Sequence, residues 1–211
     1  MFRNREDAGR RLAIALDAYR ITNPLVLAIP RGGVEVAYQV ADRLNAELAA
    51  LVVRKLPLPR NPEAGFGAIA EDGSTFVFEH MAAALPEEVV GQIIETQKRE
   101  VQRRIDVLRK GESLPNVADR TVILVDDGIA MGSTIRAGIK MCRNKRADQV
   151  IVAAPVASPS TVEQLDRLAD DVVVVEQPQL FRAVAQVYEN WYDVPDEEVI
   201  KIMDEYQRQH A

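Results

Sequence analysis

A single cysteine, Cys142, rules out an internal disulfide in this 211-residue chain. A lone thiol fits a reducing compartment. Basic residues are also in short supply: 26 Lys and Arg face 32 Asp and Glu, a formal net charge of -6. A general nucleic-acid binder needs a basic face to neutralise phosphates, so that class is disfavoured. A local phosphate site made of backbone N–H groups is untouched by this argument. No apolar run approaches the roughly 20 residues that a membrane span requires. The first residues, MFRNREDAGRR, are charged and lack the apolar stretch of a signal peptide. The expectation is a cytoplasmic protein with no membrane attachment. Histidine is scarce too, and His80 and His210 stand too isolated to suggest a metal site or a triad.

What is present suits a folded domain. Hydrophobic residues make up 47% and charged residues 27%, the balance of a globular chain with a sizeable core. No internal repeat or low-complexity segment interrupts it. One domain over 1–211 is expected, with a core at about 20–176.

Residues 5–19 carry Ala8, Leu12, Leu16 and Tyr19 at helical spacing, and Asn23-Pro24 stops that helix. LVLAI (25–29) reads as a buried strand ended by Pro30 and two glycines. A helix follows over 34–45, with Val36, Val40 and Leu44 on one face. ELAALVVRKL (47–56) holds the next strand, which makes a parallel βαβ unit. Residues 57–66, with Pro57, Pro59, Pro62 and Gly65, read as an exposed loop. FGAIA and STFVFE flank Glu71-Asp72-Gly73, a hairpin turn signal. A long charged helix spans 86–110 and reads as a solvated face. TVILV (121–125) is the most continuous apolar strand. A helix over 133–144, a strand over 149–157, a helix at about 160–168 and a strand over 171–176 follow, then a helix from Pro195 to about Gln207. Alternating helices and nearly all-apolar strands predict a doubly wound α/β fold with a mainly parallel sheet. Ligands of such sheets lie at the carboxyl ends of the strands. Three polar or glycine-rich turns fall at such ends: Pro30–Val34, Lys55 onward, and Asp126–Thr134.

The last of these turns carries the chemistry. Strand 121–125 leads straight into Asp126-Asp127, then a turn with Gly128 and Gly132, then Ser133 and Thr134. The glycines let the backbone curl, and either hydroxyl can cap the helix that starts there. The N–H groups of that helix end and its partial positive charge form an anion cradle of phosphate size. Two carboxylates would repel a phosphate, so they need another partner. Ribose hydroxyls, as donors, suit them, and Mg²⁺ near the diol would offset their charge. The combination fits a sugar phosphate.

VILVDDGIAMGST closely resembles the 5-phosphoribosyl 1-pyrophosphate (PRPP) motif of type I phosphoribosyltransferases, matching at the strand, at Asp126-Asp127, at Gly132 and at Thr134. The order of strands and loops over roughly 20–176 agrees as well. The resemblance implies a Mg²⁺-dependent transfer of the 5-phosphoribosyl group from PRPP to a nitrogenous base, purines included, with release of pyrophosphate. It implies Asp126 and Asp127 on the ribose diol and, through water, on Mg²⁺. It implies Gly128, Ile129, Ala130, Met131, Gly132, Ser133 and Thr134 around the ribose and 5-phosphate. Arg31, Gly32 and Gly33 of IPRGGV, with Lys55, would receive pyrophosphate. Residues 56–80 take the place of the mobile loop and hairpin that would close over the site. A small C-terminal hood at about 177–211 is implied, and a homodimer is common in the family.

Two positions depart from the family pattern. Thr is usual where this chain has Met131, and the loss of one phosphate hydrogen bond costs roughly 1.5–3 kcal/mol. Ala130 lacks the Asp that hypoxanthine-type members use on the purine ring. The aromatics Phe181, Tyr188, Trp191 and Tyr192 are either core or hood, with Tyr188 and Trp191 candidates for stacking on a base. Alternatives stay open. An acid pair can simply cap and solvate a strand end. A receiver domain also has paired acids after a strand, but normally near the chain start. A non-catalytic sensor of PRPP or a nucleotide could use the same fold, which Met131 slightly favours.

Overall fold

A computed structural model describes residues 1–59 and 61–210. Residue 60, inside the expected loop 57–66, and residue 211, at the end of the expected hood, lie outside the described residues. Among the described residues, eight strands and seven α-helices follow in the order α1 (Arg5–Ala15), β1 (Leu25–Ala28), α2 (Gly33–Leu44), β2 (Glu47–Ala50), β3 (Val53–Leu58), β4 (Asn61–Ala70), β5 (Thr75–Val77), α3 (Glu79–Ala82), α4 (Glu87–Arg109), β6 (Thr121–Val125), α5 (Ser133–Asn144), β7 (Gln149–Val156), α6 (Pro159–Asp166), β8 (Asp171–Glu176) and α7 (Asp196–Gln209).

The main sheet is parallel throughout, in the order β2-β1-β6-β7-β8. Alternate side chains feed two cores. Val26, Ala28, Ile123 and Val125 belong to one core with Leu12 of α1, Val40 of α2 and Met203 of α7. Leu25, Leu27, Val122 and Leu124 face the other way, against Ile135 and Ile139 of α5 and Leu165 of α6. Apolar residues at successive positions are thus required on both faces, as a doubly wound sheet demands. The crossover from β1 to β2 runs to one side and the chain later returns to β6 on the other. The switch point therefore lies between β1 and β6. Among the described residues, no helix is long and apolar enough to cross a membrane.

The structure corrects two local readings. The run 47–56 is not one strand. Leu51 still donates its N–H to Ala28 O at 2.8 Å in the parallel sheet, but the next N–H, of Val52, goes to Glu71 Oε2 at 3.0 Å. From there the chain leaves the main sheet for a separate antiparallel one, β3-β4-β5. The expected loop over 57–66 is largely part of that sheet. Pro57 pairs with Gly65 and Leu58 with Asn61, with register shifts at Leu56/Pro57 and Pro57/Leu58. β3 is an edge strand, and proline is tolerated on such an edge or at a bulge because no ladder N–H is lost.

The hairpin is pinned from below. Arg109, at the end of α4, donates to both oxygens of Glu71 at 2.8 and 2.9 Å, and also to Ala50 O at 2.9 Å. Glu71, read from sequence as a turn residue, is a buried anchor.

Candidate functional site

The site begins with the β1–α2 turn. Ile29 donates its N–H to Val125 O at 2.8 Å, which brings this turn onto the end of β6. The Pro30–Arg31 peptide is cis. Gly33 lies so close to β6 that a Cβ would stand 2.9 Å from Val125 O and 3.1 Å from Asp126 Cα. At Gly32 a Cβ would meet Asp127 Oδ2 at 1.8 Å. Only glycine admits such an approach. Arg31, Gly32 and Gly33 are thus brought against the acids at the switch point.

The β6–α5 turn is held from the other side. Ile129 donates to Val156 O at 2.8 Å, and Thr161 Oγ1 donates to Ala130 O at 2.9 Å. Gly128 has Val184 and Val156 pressed where a side chain would stand, at 2.5 and 2.9 Å from a built Cβ. Gly132 is the N-cap of α5 with φ 73, in the left-handed region. Among the described residues no side chain caps α5, which differs from the expected Ser133 or Thr134 cap. The first N–H groups of α5 are therefore left to a ligand or solvent, and they lie at the positive end of the helix. Ser133 is buried at 8% exposure, whereas Met131 is 49% exposed and brings no donor to the turn.

Each acid has one oxygen committed. Asp126 Oδ1 accepts the N–H of Asp127 at 2.9 Å. Asp127 Oδ2 accepts from Arg5 Nε at 2.7 Å. The two carboxyl groups also contact each other through their side chains. Burial pushes both carboxyls above the usual carboxylate range. The neighbouring Asp127 charge adds to this at Asp126, while the Arg5 guanidinium pulls Asp127 back.

Arg5 was not legible as a site residue. Asn4 Oδ1 accepts the Asp7 N–H at 2.9 Å, and Asp7 Oδ2 accepts the Arg3 N–H at 3.1 Å. That reciprocal cap starts α1 with Arg5 as its first residue. From there the side chain reaches the site and is only 3% exposed. Its Nη1 donates to Tyr192 O at 2.9 Å and to Glu35 Oε2 at 3.4 Å. Local sequence carries no signal for this, because an Arg in a charged first turn reads as solvated.

The C-terminal segment closes the same corner. Phe2 donates its N–H to Val187 O at 2.7 Å and accepts from Glu189 N at 2.9 Å, tying the N-terminal segment to the segment that precedes α7. Tyr188 is 6% exposed and packs against Phe2 and Trp191. Its hydroxyl donates to Asp127 O at 2.6 Å. Of the two roles left open for it, core or hood, its burial favours core packing. Trp191 lies over the Arg5 guanidinium at 3.9 Å and keeps 39% exposure. Tyr192 donates to Glu35, and burial followed by that carboxylate pushes its phenol up to about 12. Residues 177–195 thus adjoin the strand ends. α7, in contrast, returns to the flank of the sheet, where Val199, Met203 and Tyr206 are buried in the core beside α2.

Lys55 is placed on β3, exposed and paired with Ala68, so it belongs to the antiparallel sheet rather than to the turn of Arg31–Gly33. Its neighbour Arg54 was missed by sequence reading. Burial and the nearby Arg104 guanidinium push Arg54 down, with Arg103 and Arg31 adding to the effect. Arg31 and Arg104 approach the same oxygen of Asp196 at 3.8 and 3.9 Å. A cluster of guanidinium groups thus stands beside the β1–α2 turn.

Among the described residues, no group of three or more His, Cys, Asp or Glu is gathered around a metal position. Two hard carboxylate oxygens fit Mg²⁺ of the kind that keeps most of its ligands as water and substrate phosphate.

The phosphoribosyl transferase domain model matches residues 2–190. Two Mycobacterium tuberculosis proteins, Rv0571c of strain H37Rv and MT0597 of strain CDC 1551, carry provisional names as phosphoribosyl transferases. Each is 38% identical over 213 residues, covering 100% of this chain and 48% of the relative. The chain therefore spans about half the length of the curated relatives it matches. The crystal structure of TT1426 from Thermus thermophilus is similar with a TM-score of 0.82 and 36% identity, over 98% of this chain and 99% of that one. The parallel sheet, the acid pair at its switch point and these matches agree: the chain belongs to the phosphoribosyl transferase domain family, in its type I fold.

Proposed function

We propose that this chain binds PRPP together with Mg²⁺ and transfers the 5-phosphoribosyl group to a nitrogenous base, purines included, with release of pyrophosphate. The observation that carries this reading is the Asp126-Asp127 carboxyl pair at the switch point beside the uncapped start of α5. Two adjacent acceptors suit a vicinal diol, and the open N–H groups suit the 5-phosphate of the same sugar.

In this reading Asp126 and Asp127 hold the ribose hydroxyls. Gly128, Ile129, Ala130, Met131, Gly132, Ser133 and Thr134 surround the ribose and 5-phosphate. Arg31, Gly32, Gly33 and Lys55 receive the pyrophosphate end. The acceptor nitrogen forms a bond to C1 as the bond from C1 to the pyrophosphate oxygen breaks, and the nitrogen's proton leaves to solvent. The protein orients the two reactants and stabilises separated charge, without covalent catalysis. Mg²⁺, held through water by Asp126 and Asp127, would neutralise charge on the diphosphate. Residues 56–80, in the place of the family's loop and hairpin, would close over the site. Trp191 retains an exposed part for contact with a base, whereas Tyr188 does not. Residues 1–211 acting as one domain, a cytoplasmic location and a homodimer belong to the same proposal.

A second reading is a non-catalytic sensor of PRPP or a nucleotide. Met131 favours it, since its exposed side chain supplies no donor to the phosphate turn. Calorimetric titration with PRPP, with and without Mg²⁺, followed by a screen of nucleobases for pyrophosphate release, separates the readings. Saturable binding with turnover supports the transferase. Binding without turnover on any base supports the sensor. No binding at millimolar PRPP overturns the transferase and the PRPP sensor, and a titration with nucleoside monophosphates then tests the nucleotide sensor.

A further inference from the structure

Arg5 is gripped on every side. Its Nε meets Asp127 Oδ2 at 2.7 Å, its Nη1 meets Tyr192 O at 2.9 Å, and Trp191 covers its plane at 3.9 Å. Gly32 leaves room for this contact, since a Cβ there would stand 1.8 Å from Asp127 Oδ2 and 2.6 Å from Arg5 Nε. A guanidinium beside a carboxylate often takes both oxygens in a fork. Here it does not, because Nη1 is diverted to the Tyr192 carbonyl and to Glu35. Arg5 thus holds Oδ2 of Asp127 and leaves the other oxygen, on the side of Asp126, out of its own grip. Arg5 is also the cation that touches this corner, among Asp126, Asp127 and Glu35.

We propose that Arg5 is a positioning residue for ribose recognition: it clamps one oxygen of Asp127 against the β1–α2 turn and so presents the other to a sugar hydroxyl. The inference rests on the reading of the acid pair as a diol site. Its physical content is preorganisation. A carboxylate already fixed in one rotamer loses little freedom when it accepts a ligand hydrogen bond. The Tyr188 hydroxyl fixes the backbone of the same residue, so both ends of Asp127 are tied, one to the N-terminal segment and one to the segment that precedes α7.

The test compares ribose 5-phosphate with its 2-deoxy and 3-deoxy analogues, and with inorganic phosphate, by calorimetric titration. The proteins are the wild type, Arg5→Gln and Arg5→Lys, each checked for folding by thermal melting. Wild type is expected to bind ribose 5-phosphate about tenfold or more tighter than either deoxy sugar, the value of a hydrogen bond to a charged acceptor. In Arg5→Gln the preference over one of the two deoxy sugars falls below about threefold, while inorganic phosphate binds as in wild type. Arg5→Lys keeps the charge without the fork, and its preference is expected to lie between the two. If Arg5→Gln does not fold, the drop must still appear in Arg5→Lys. Unchanged discrimination in the folded variants overturns the role of Arg5 and leaves the diol site standing. Equal weakening toward all sugars and phosphate also overturns it, as a purely structural effect. A wild type that binds ribose 5-phosphate no better than its deoxy analogues removes the diol reading itself, and the inference with it.

Discussion

The hydroxyl of Tyr188 donates to the main-chain carbonyl of Asp127 at 2.6 Å, 61 residues away in sequence. A residue near the end of the chain thereby holds the backbone of the acid pair. Tyr188→Phe keeps the ring packed on Phe2 and removes only this donor. An unpaired buried carbonyl costs about 1–3 kcal/mol. For a chain of this size each kcal/mol lowers the melting temperature by about 2–4 °C. Thermal melting and PRPP titration should both show the loss. An unchanged melting temperature and affinity would mean that the carbonyl finds another donor.

Asp126→Asn is expected to raise stability while lowering affinity. The carboxyl is buried beside Asp127, and both burial and that charge disfavour its ionised form. The amide keeps an oxygen for the N–H of Asp127 and removes the like charge. The melting temperature at neutral pH should rise by a few degrees, and PRPP should bind about tenfold or more weakly. A variant less stable than wild type would contradict the account of the pair as two like charges held together by burial.

Glu71 and Arg109 form a buried pair, each side chain 9% exposed. Arg109→Ala leaves Glu71 without its counter-charge, which costs about 3–5 kcal/mol. The exposed pair Arg167–Glu163 serves as a control, and Arg167→Ala should shift stability by no more than about 0.5 kcal/mol. Urea denaturation of the two variants reads the contrast. Equal effects would show that the hairpin does not depend on this anchor.

Cys142 is fully buried in α5, and burial pushes its thiol up to about 12. The unfolded thiol titrates near about 8.5. The folded state thus holds a proton that the unfolded chain releases. This contribution is complete below the unfolded value and is lost as pH rises toward 12. A thiol reagent at pH 8 should label the native protein only through unfolding, and urea should accelerate labelling in step with the loss of structure. Rapid stoichiometric labelling of the native protein would refute this.

The elements that the sequence made legible are those with a local cause. Strands β1, β6, β7 and β8 are unbroken apolar runs, and helix α5 spans Ser133–Asn144 as its periodicity indicates. The turn glycines at 128 and 132 and the acids before them were readable because strand, acids and turn are contiguous. The split of 47–58 was not legible. Val52 leaves the sheet because a carboxylate 19 residues on takes its N–H, and nothing in ELAALVVRKL shows that partner. The choice between core and stacking for Tyr188 stayed open in the sequence for a similar reason. An aromatic near a chain end can cover a ligand or fill a core, and only the pairing of Phe2 with Val187 and Glu189 decides which.

By itself, then, the sequence determined the parallel α/β architecture and the place of the acid pair, since apolar alternation, turn chemistry and a contiguous motif act over a few residues. The tertiary structure alone decided that the β1–α2 turn lies against those acids, that Glu71 anchors the hairpin and that Arg5, 122 residues from Asp127, holds one of its carboxylate oxygens. Such partners are fixed by the strand order β2-β1-β6-β7-β8, and a buried charge reads in sequence like any solvated one until its counter-charge is found in space.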